Sequence, residues 1–327
     1  MKIAALLPHV EIFGGVRRYI EIGNVLSHRG HEFVLFHPEG NSPEWLAFEG
    51  RTEAFSSLTK ESFDIGLCSE YSILSQFERL RARAKYFYFL LEGHKKEKEV
   101  IRQGFTLLGN SEGLCRRIEK KYGVRCHKAP GGVNPKIFYP IKKEKKTEEF
   151  RILCYGRLYR KRKGVQQVIR AVEKLYRKFP HLRLLLFDSP VGKERKDPRR
   201  MIRTRIPHEF YLSLPQSKMA WLYSQADVFV SAERRAGWSN TTAEAMACQI
   251  PVVCTSSGTR DFAFPNQTAL VAPFPYAPFL AHHLKKLIQD DGLRRRLALA
   301  GHQRILSFTW DALAERMEDI FNRTSLQ

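Results

Sequence analysis

Several features that define large classes of proteins are missing from this sequence. No apolar run approaches the roughly 18 residues that a membrane-spanning helix needs, and the longest candidate is Tyr86 to Leu91. The six cysteines form no C-x-x-C pair, which favours buried, reduced thiols over disulfides or a metal site. The eleven histidines show no zinc-binding spacing, and we see no internal repeat. We therefore expect no membrane span and no structural metal.

Acidic residues are scarce relative to basic ones. The chain has 34 Asp and Glu against 55 Lys and Arg, for a net charge of +21. Such an excess implies an anionic partner, and an acidic membrane face, an anionic glycan acceptor and nucleic acid all fit the charge. A basic surface that serves only solubility is a further alternative. Nucleic acid is the least favoured partner, because the sequence has no aromatic-interleaved basic module and no nucleic-acid-binding motif.

What the sequence does contain predicts two packed α/β domains. With 327 residues, 43% of them hydrophobic, the chain is long enough for two cores. Short apolar runs alternate with helical segments, which is typical of a doubly wound parallel sheet. The N-terminal MKIAALLP predicts a first strand, not a secretory signal. We expect a cytoplasmic protein, with peripheral attachment to the inner face of the membrane as an open alternative.

The most informative stretch is ADVFVSAERRAGWSNTTAEAMACQIPVVCTSSGTRDF, from Ala226 to Phe262. It predicts a strand, a glycine turn, a helix over Ser239 to Ala247 and a second strand. In such a βαβ unit, the start of the helix presents free N–H groups to an anion. Glu244 has two interpretations at this point: it contacts a ligand, or it forms a capping box with Thr241.

The string AGWSNTTAEAMACQIPVVCT resembles the donor-binding signature of the retaining glycosyltransferases of family 4. The resemblance implies the GT-B fold, in which two Rossmann-like, doubly wound domains face each other across a cleft. It also implies that Glu244 holds the ribose of a nucleotide. The first Glu of the signature, which usually contacts the donor sugar, falls on Ala236. Either Glu233 replaces it, or the sugar is held by the backbone and Trp238; the implied donor-binding residues of this stretch are Glu233, Gly237, Trp238, Ser239, Asn240 and Glu244.

A second basic element follows a predicted strand at RILCYGRLYRKRKG. Arg157 lies at the end of the strand, and Lys163 precedes Gly164 at the start of an amphipathic helix. Two cations around a strand-to-helix loop suit a departing diphosphate. The pattern resembles the Gly-Arg-Leu and Lys-Gly elements of the same family, which implies a catalytic and donor-binding role for both residues.

Two further candidates lie in the N-terminal half. Gly14 and Gly15 precede a helix that we expect to begin near Val16, and the resemblance implies that their backbone approaches the donor diphosphate. Glu92 and His94 follow a strand predicted over Lys85 to Leu91, where catalytic groups of α/β proteins lie. The resemblance implies a catalytic role for them near the acceptor, although a lone His after a strand is often incidental.

The charge run IKKEKKTEEF predicts a linker. We expect an N-terminal acceptor-side domain over residues 1–142, a nucleotide-sugar-binding domain over 150–307, and a final helix, about 308–324, that packs back on the first domain. Basic clusters in the first domain, in the loop Lys95 to Arg102 and on the helix that carries Arg116 and Lys120, are suited to anionic lipid or are simply solvated.

Together these features predict a retaining hexosyl- or deoxyhexosyltransferase. It would move a sugar from a UDP-, GDP- or dTDP-sugar to a glycan or lipid-linked acceptor, with no other cofactor and no metal. The sequence leaves lipopolysaccharide, a protein or tRNA open as acceptors. The alternative is a basic nucleic-acid-binding or regulatory protein on a decayed GT-B scaffold, to which Ala236 lends weight.

Overall fold

The computed structural model describes residues 1–142, 148–189 and 197–324. The chain forms two compact units: unit 1 comprises residues 1–132 and the chain from Phe308 onward, and unit 2 comprises Val133–Ser307. The division precedes the predicted linker, part of which lies outside the described residues. Residues just after position 132 belong to unit 2 because they pack there: the Phe138 ring lies 6.1 Å from that of Tyr223.

Unit 1 is organised around a seven-stranded sheet whose order is β3-β2-β1-β4-β5-β6-β7. Its strands are β1 (Lys2–Leu6), β2 (Glu32–His37), β3 (Arg51–Ala54), β4 (Phe63–Cys68), β5 (Ala82–Phe89), β6 (Thr106–Gly109) and β7 (Cys126–Lys128). Each pair of neighbours is parallel, and Leu6 lies opposite Phe36 on one side and Cys68 on the other. The chain builds outward from β1 to β3, then returns to β4 on the other side of β1. The point between β1 and β4 is therefore the switch point, where doubly wound sheets bind ligands.

Unit 2 repeats this plan with six parallel strands in the order β10-β9-β8-β11-β12-β13. The strands are β8 (Phe150–Tyr155), β9 (Leu182–Asp188), β10 (His208–Leu212), β11 (Val228–Val230), β12 (Val252–Thr255) and β13 (Leu270–Ala272). Its switch point lies between β8 and β11.

Helices cover both faces of the sheets. Numbered along the chain, they are α1 (Gly14–His28), α2 (Leu74–Arg79), α3 (Glu97–Arg102), α4 (Glu112–Tyr122), α5 (Val165–Tyr176), α6 (Met219–Ser224), α7 (Asn240–Ala247), α8 (Ala277–Gln289), α9 (Asp291–Ile305) and α10 (Trp310–Thr324). Successive side chains of a strand point to opposite faces, so Ile3 packs with α1 and α10 while Ala4 packs with α2 and α4. In unit 2, the predicted apolar face of α5 is buried along its whole length. Among the described residues, no helix is long and apolar enough to span a membrane.

Candidate functional site

The loops on the two sides of the unit 2 switch point meet through an ion pair. Lys163 follows β8, Glu233 follows β11, and the Lys163 ammonium contacts the Glu233 carboxylate. Arg162 lies 3.6 Å from the same carboxylate oxygen, and the other oxygen accepts a hydrogen bond of 3.3 Å from Ser239. Glu233 is only 4% exposed. The structure thus brings together three of the predicted site residues, Lys163, Glu233 and Ser239.

Arg157 lies at the end of β8 and is held on several sides. Its guanidinium donates to Asp188 Oδ1 over 3.0 Å and to the Ser189 carbonyl over 2.8 Å, and it lies over the rings of Tyr155 and Tyr159. Burial alone would lower the pKa of Arg157, but Tyr155 and Asp188 raise it above its ordinary value. Asp188, the last residue of the buried strand β9, contacts Arg157, and the sequence did not indicate this role. It orients Arg157 and offsets its charge.

The loop between Lys163 and the next element depends on a glycine. Gly164 has a φ of +67°, and a Cβ atom placed there would lie 2.2 Å from the carbonyl oxygen of Ala232. The chain after β8 and the chain before Glu233 therefore touch backbone to backbone. Only glycine permits this contact, because any side chain would both clash and disfavour the positive φ.

The structure does not contain the capping box that was one of the two interpretations of Glu244. Helix α7 begins at Asn240 with Ser239 as its N-cap residue, so Thr241 lies inside the first turn. Glu244 instead accepts a hydrogen bond of 2.8 Å from the hydroxyl of Tyr223 on α6. Glu244 is 8% exposed. Tyr223 carried no signal in the sequence, because it lies 21 residues from its partner and reads as an ordinary core tyrosine.

The glycine turn before α7 is tightly packed. Ala236, which replaces the first Glu of the signature, is 2% exposed, and its N–H donates to Ser257 Oγ over 2.8 Å. The Trp238 ring is buried against Phe262 at 4.7 Å. Gly237 is buried as well. The indole ring of Trp238 is therefore packed inside unit 2.

In unit 1, the predicted Gly-Gly turn belongs to the helix itself. Helix α1 begins at Gly14, two residues before the predicted start, so Gly14 and Gly15 form its first turn. Arg18 is buried and donates to the Tyr88 hydroxyl over 2.5 Å and to the Pro130 carbonyl over 3.1 Å. A cation near a helix start is disfavoured by the helix dipole, and these acceptors offset that cost.

His94 lies in the loop after β5, stacked on the Tyr71 ring with 3.7 Å between ring centroids. Glu97 was missed by the sequence analysis and holds this loop: its Oε1 accepts from the backbone N–H of Gly93 over 2.8 Å and of His94 over 3.2 Å. Arg117 donates to the same carboxylate. Burial lowers the pKa of His94, which favours a neutral imidazole. Glu92 precedes the held segment and is half-buried.

Glu70 is a second carboxylate that the sequence analysis missed. It follows β4, on the far side of the unit 1 switch point from α1, and a Cβ atom placed on Gly15 would lie 3.9 Å from Glu70 Oε1. Burial raises the pKa of Glu70. Among the described residues no cation forms an ion pair with it. A carboxylate directly after a buried strand is a signal that the sequence did contain.

Comparison with known proteins places the chain in a family. The family model for glycosyl transferases group 1 matches residues 136–304, more than half of the chain, and the chain belongs to this family. It is 25% identical over 179 residues to the capsular polysaccharide biosynthesis glycosyltransferase CapM of Staphylococcus aureus, covering 54% of this chain and 47% of CapM. It is 26% identical over 231 residues to a GDP-mannose-dependent monoacylated alpha-(1-6)-phosphatidylinositol monomannoside mannosyltransferase of Corynebacterium glutamicum, covering 64% and 60%. The chain spans about half the length of the curated relatives it matches.

Solved structures show the same fold. Sucrose-phosphate synthase from Thermosynechococcus elongatus is similar with a TM-score of 0.82 at 18% identity, over 99% of this chain and 98% of that one. WaaG, a glycosyltransferase involved in lipopolysaccharide biosynthesis, is similar with a TM-score of 0.72 at 17% identity, over 98% and 99%. Anabaena HepE in complex with UDP and glucose gives 0.76 at 13% identity, over 98% and 99%. The predicted α/β class with the GT-B fold is confirmed.

Proposed function

We propose that this chain is a retaining glycosyltransferase of family 4 that moves a hexosyl or deoxyhexosyl group from a nucleotide sugar to a glycan or lipid-linked acceptor. The observation that carries the proposal is the gathering of Lys163, Glu233 and Ser239 at the unit 2 switch point, in the half of the chain that matches the family. Arg157 follows strand β8, and Glu244 lies in helix α7, which follows strand β11. Both strands end at this edge of the sheet. Cations and a helix start in this position suit a nucleoside diphosphate.

Each residue has a proposed role. Glu244 accepts hydrogen bonds from the ribose hydroxyls, while Arg157 and Lys163 stabilise the diphosphate as its negative charge grows. The backbone from Gly237 to Ser239, with Asn240 after it, orients the donor sugar; because the Trp238 ring packs on Phe262, we assign it no direct contact. Glu233 holds Lys163 in position through their ion pair, and we assign Glu233 as the carboxylate near the sugar.

In unit 1 we propose the roles that the family resemblance implies. The backbone of Gly14 and Gly15 serves the diphosphate, and His94 with Glu92 serves the acceptor. The bond between the sugar C1 and the diphosphate oxygen breaks, and the acceptor oxygen bonds to C1 on the same face. The departing phosphate takes the acceptor proton, so no enzyme nucleophile is needed.

The donor and acceptor classes rest on the relatives. HepE binds UDP and glucose, and the named relatives act in capsular polysaccharide, lipopolysaccharide and phosphatidylinositol mannoside synthesis. UDP-, GDP- and dTDP-sugars are the donors to test. Six buried free thiols suit the reducing cytoplasm, where we place the reaction, at or near the inner face of the membrane.

The test is thermal stabilisation of the purified chain by UDP, GDP, dTDP, ADP and CMP, with each repeated on Glu244→Ala. We expect one nucleoside diphosphate to raise the melting temperature of the native chain but not that of Glu244→Ala. The selected nucleotide then identifies the sugar donors for a transfer assay. A folded protein that no nucleotide stabilises would contradict the proposal.

A further inference from the structure

Unit 2 exposes a compact group of aromatic rings just after its edge strand, β13. Phe274 is 54% exposed, Tyr276 48% and Phe279 37%, and the rings of Phe274 and Phe279 lie 5.3 Å apart. Exposed aromatic residues that cluster, unlike scattered ones, mark contact surfaces. The exposure does not come from a frayed end, because the N–H of Ala277 donates to Gln167 Oε1 on α5 over 3.1 Å.

A cation lies over one of these rings. The Arg234 guanidinium lies 5.1 Å from the centre of the Tyr276 ring, and the Arg234 N–H donates to the Arg162 carbonyl over 2.7 Å. These contacts join the aromatic loop to two other loops at the same sheet edge. We name the whole surface the aromatic-basic patch; its exposed members are Arg160, Lys161, Arg162, Arg235, Phe274, Tyr276 and Phe279.

The segments that form the patch contain little negative charge to balance its cations. Segments 160–163, 233–235 and 273–279 contain a single acidic residue, Glu233. That residue is buried and paired with Lys163. The exposed side of the patch is therefore positive as well as apolar.

We propose that the aromatic-basic patch is a contact surface for an anionic lipid bilayer. Phe274 and Phe279 have no hydrogen-bonding group, so they suit the apolar layer beneath lipid headgroups better than a hydrated polymer. Exposed Arg and Lys beside them match phosphate headgroups in charge. The inference goes beyond sugar transfer and does not depend on it, since membrane binding and transfer are measured separately.

The experiment is co-sedimentation of the full chain with vesicles of phosphatidylglycerol and phosphatidylcholine in equal parts, and with vesicles of phosphatidylcholine alone. We expect binding to the anionic vesicles only. The double variant Phe274→Ser/Phe279→Ser should lower the partition coefficient about tenfold or more. Lys161→Gln and Arg235→Gln should each lower it about fivefold, as loss of one cation at a charged surface does.

Matched controls separate this surface from others. The pair Leu299→Ser/Leu306→Ser removes two exposed leucines, 49% and 38% exposed, from another part of unit 2, and should leave binding unchanged. A Phe274→Trp variant keeps an aromatic ring, and its emission should shift to shorter wavelength on anionic vesicles. Circular dichroism of each variant confirms that it folds.

Three outcomes overturn the inference. The first is absence of binding to anionic vesicles. The second is binding that the patch variants leave intact, in particular if Lys120→Gln/Lys121→Gln on α4 of unit 1 removes it. The third is that the patch variants bind anionic vesicles like the native chain but are no longer retained on heparin. This result would identify the patch as a surface for an acidic polysaccharide.

Discussion

The Tyr223 hydroxyl donates a hydrogen bond of 2.8 Å to Glu244 Oε2, and this contact joins helix α6 to helix α7. Tyr223 is fully buried, whereas Glu244 retains 8% exposure. The tyrosine therefore fixes the orientation of the carboxylate that we assign to the ribose. This relationship leads to the first prediction.

Replacing Glu244 with Ala should weaken nucleotide binding by about 1 to 3 kcal/mol, because a charge-assisted contact is lost. Tyr223→Phe should weaken it by about 0.5 to 1.5 kcal/mol through misorientation of the carboxylate. Calorimetric titration with the selected nucleotide measures both. Tyr211→Phe is the control, since its hydroxyl also bonds a glutamate, Glu209, on edge strand β10. Unchanged affinity with lower thermal stability in both site variants would show a purely structural pair.

The ion pair of Lys163 and Glu233 makes a different prediction. Glu233→Gln keeps an acceptor for Ser239 but removes the negative charge beside Lys163. Affinity for the nucleoside diphosphate should stay equal or rise, because Lys163 gains net positive potential, while the transfer rate falls about tenfold or more. Glu149→Gln is the control, because it removes a carboxylate that forms ion pairs with Arg151 and Arg183. It should change neither the nucleotide affinity nor the transfer rate. An unaffected transfer rate would mean that Ala236 has no nearby replacement.

Gly164→Ala should destabilise unit 2 by about 3 kcal/mol or more, because both the positive φ and a backbone clash oppose the new methyl group. Gly123→Ala provides the matched comparison. Its φ of +68° is nearly the same as the +67° of Gly164, but no atom lies within 4 Å of its added Cβ. We expect Gly123→Ala to lower the free energy of unfolding by about 1 to 2 kcal/mol. Denaturant unfolding of both variants checks the difference, and equal losses would contradict the crowding argument.

Glu70→Gln should raise stability at alkaline pH. The folded-state pKa of Glu70 lies above its ordinary value through burial, so ionisation destabilises the fold as pH rises through that pKa. The variant should be more stable than the native chain at pH 8 and similar at pH 4.

The control for the Glu70 prediction is Glu61, whose pKa is shifted in the opposite direction. The pKa of Glu61 is lowered, chiefly by a hydrogen bond from Lys2, so its stabilising effect is present above the ordinary pKa and is lost as the pH falls. Glu61→Gln should therefore lower stability at pH 8. Thermal unfolding at both pH values measures the two variants, and a loss of stability at pH 8 for Glu70→Gln would contradict the prediction.

Local patterns gave reliable information about elements but not about their partners. The periodicity of α5, the apolar run of β1 and the helix after Gly237 all appear where predicted, within one or two residues. The capping box failed because Ser239, not Thr241, precedes the first helical turn. The sequence offers several residues that can cap a helix, and packing selects one of them.

The sequence by itself determined that this is a two-unit α/β protein of the GT-B class, because alternating apolar periods specify doubly wound sheets and the signature around Glu244 is continuous in the chain. Only the tertiary structure decided which side chains meet. Tyr223 with Glu244, Asp188 with Arg157, and Glu70 with the start of α1 are each far apart in sequence. Parallel strands bring such residues together because their carboxyl ends share one edge of the sheet, and strand order, not local sequence, decides which ends are neighbours.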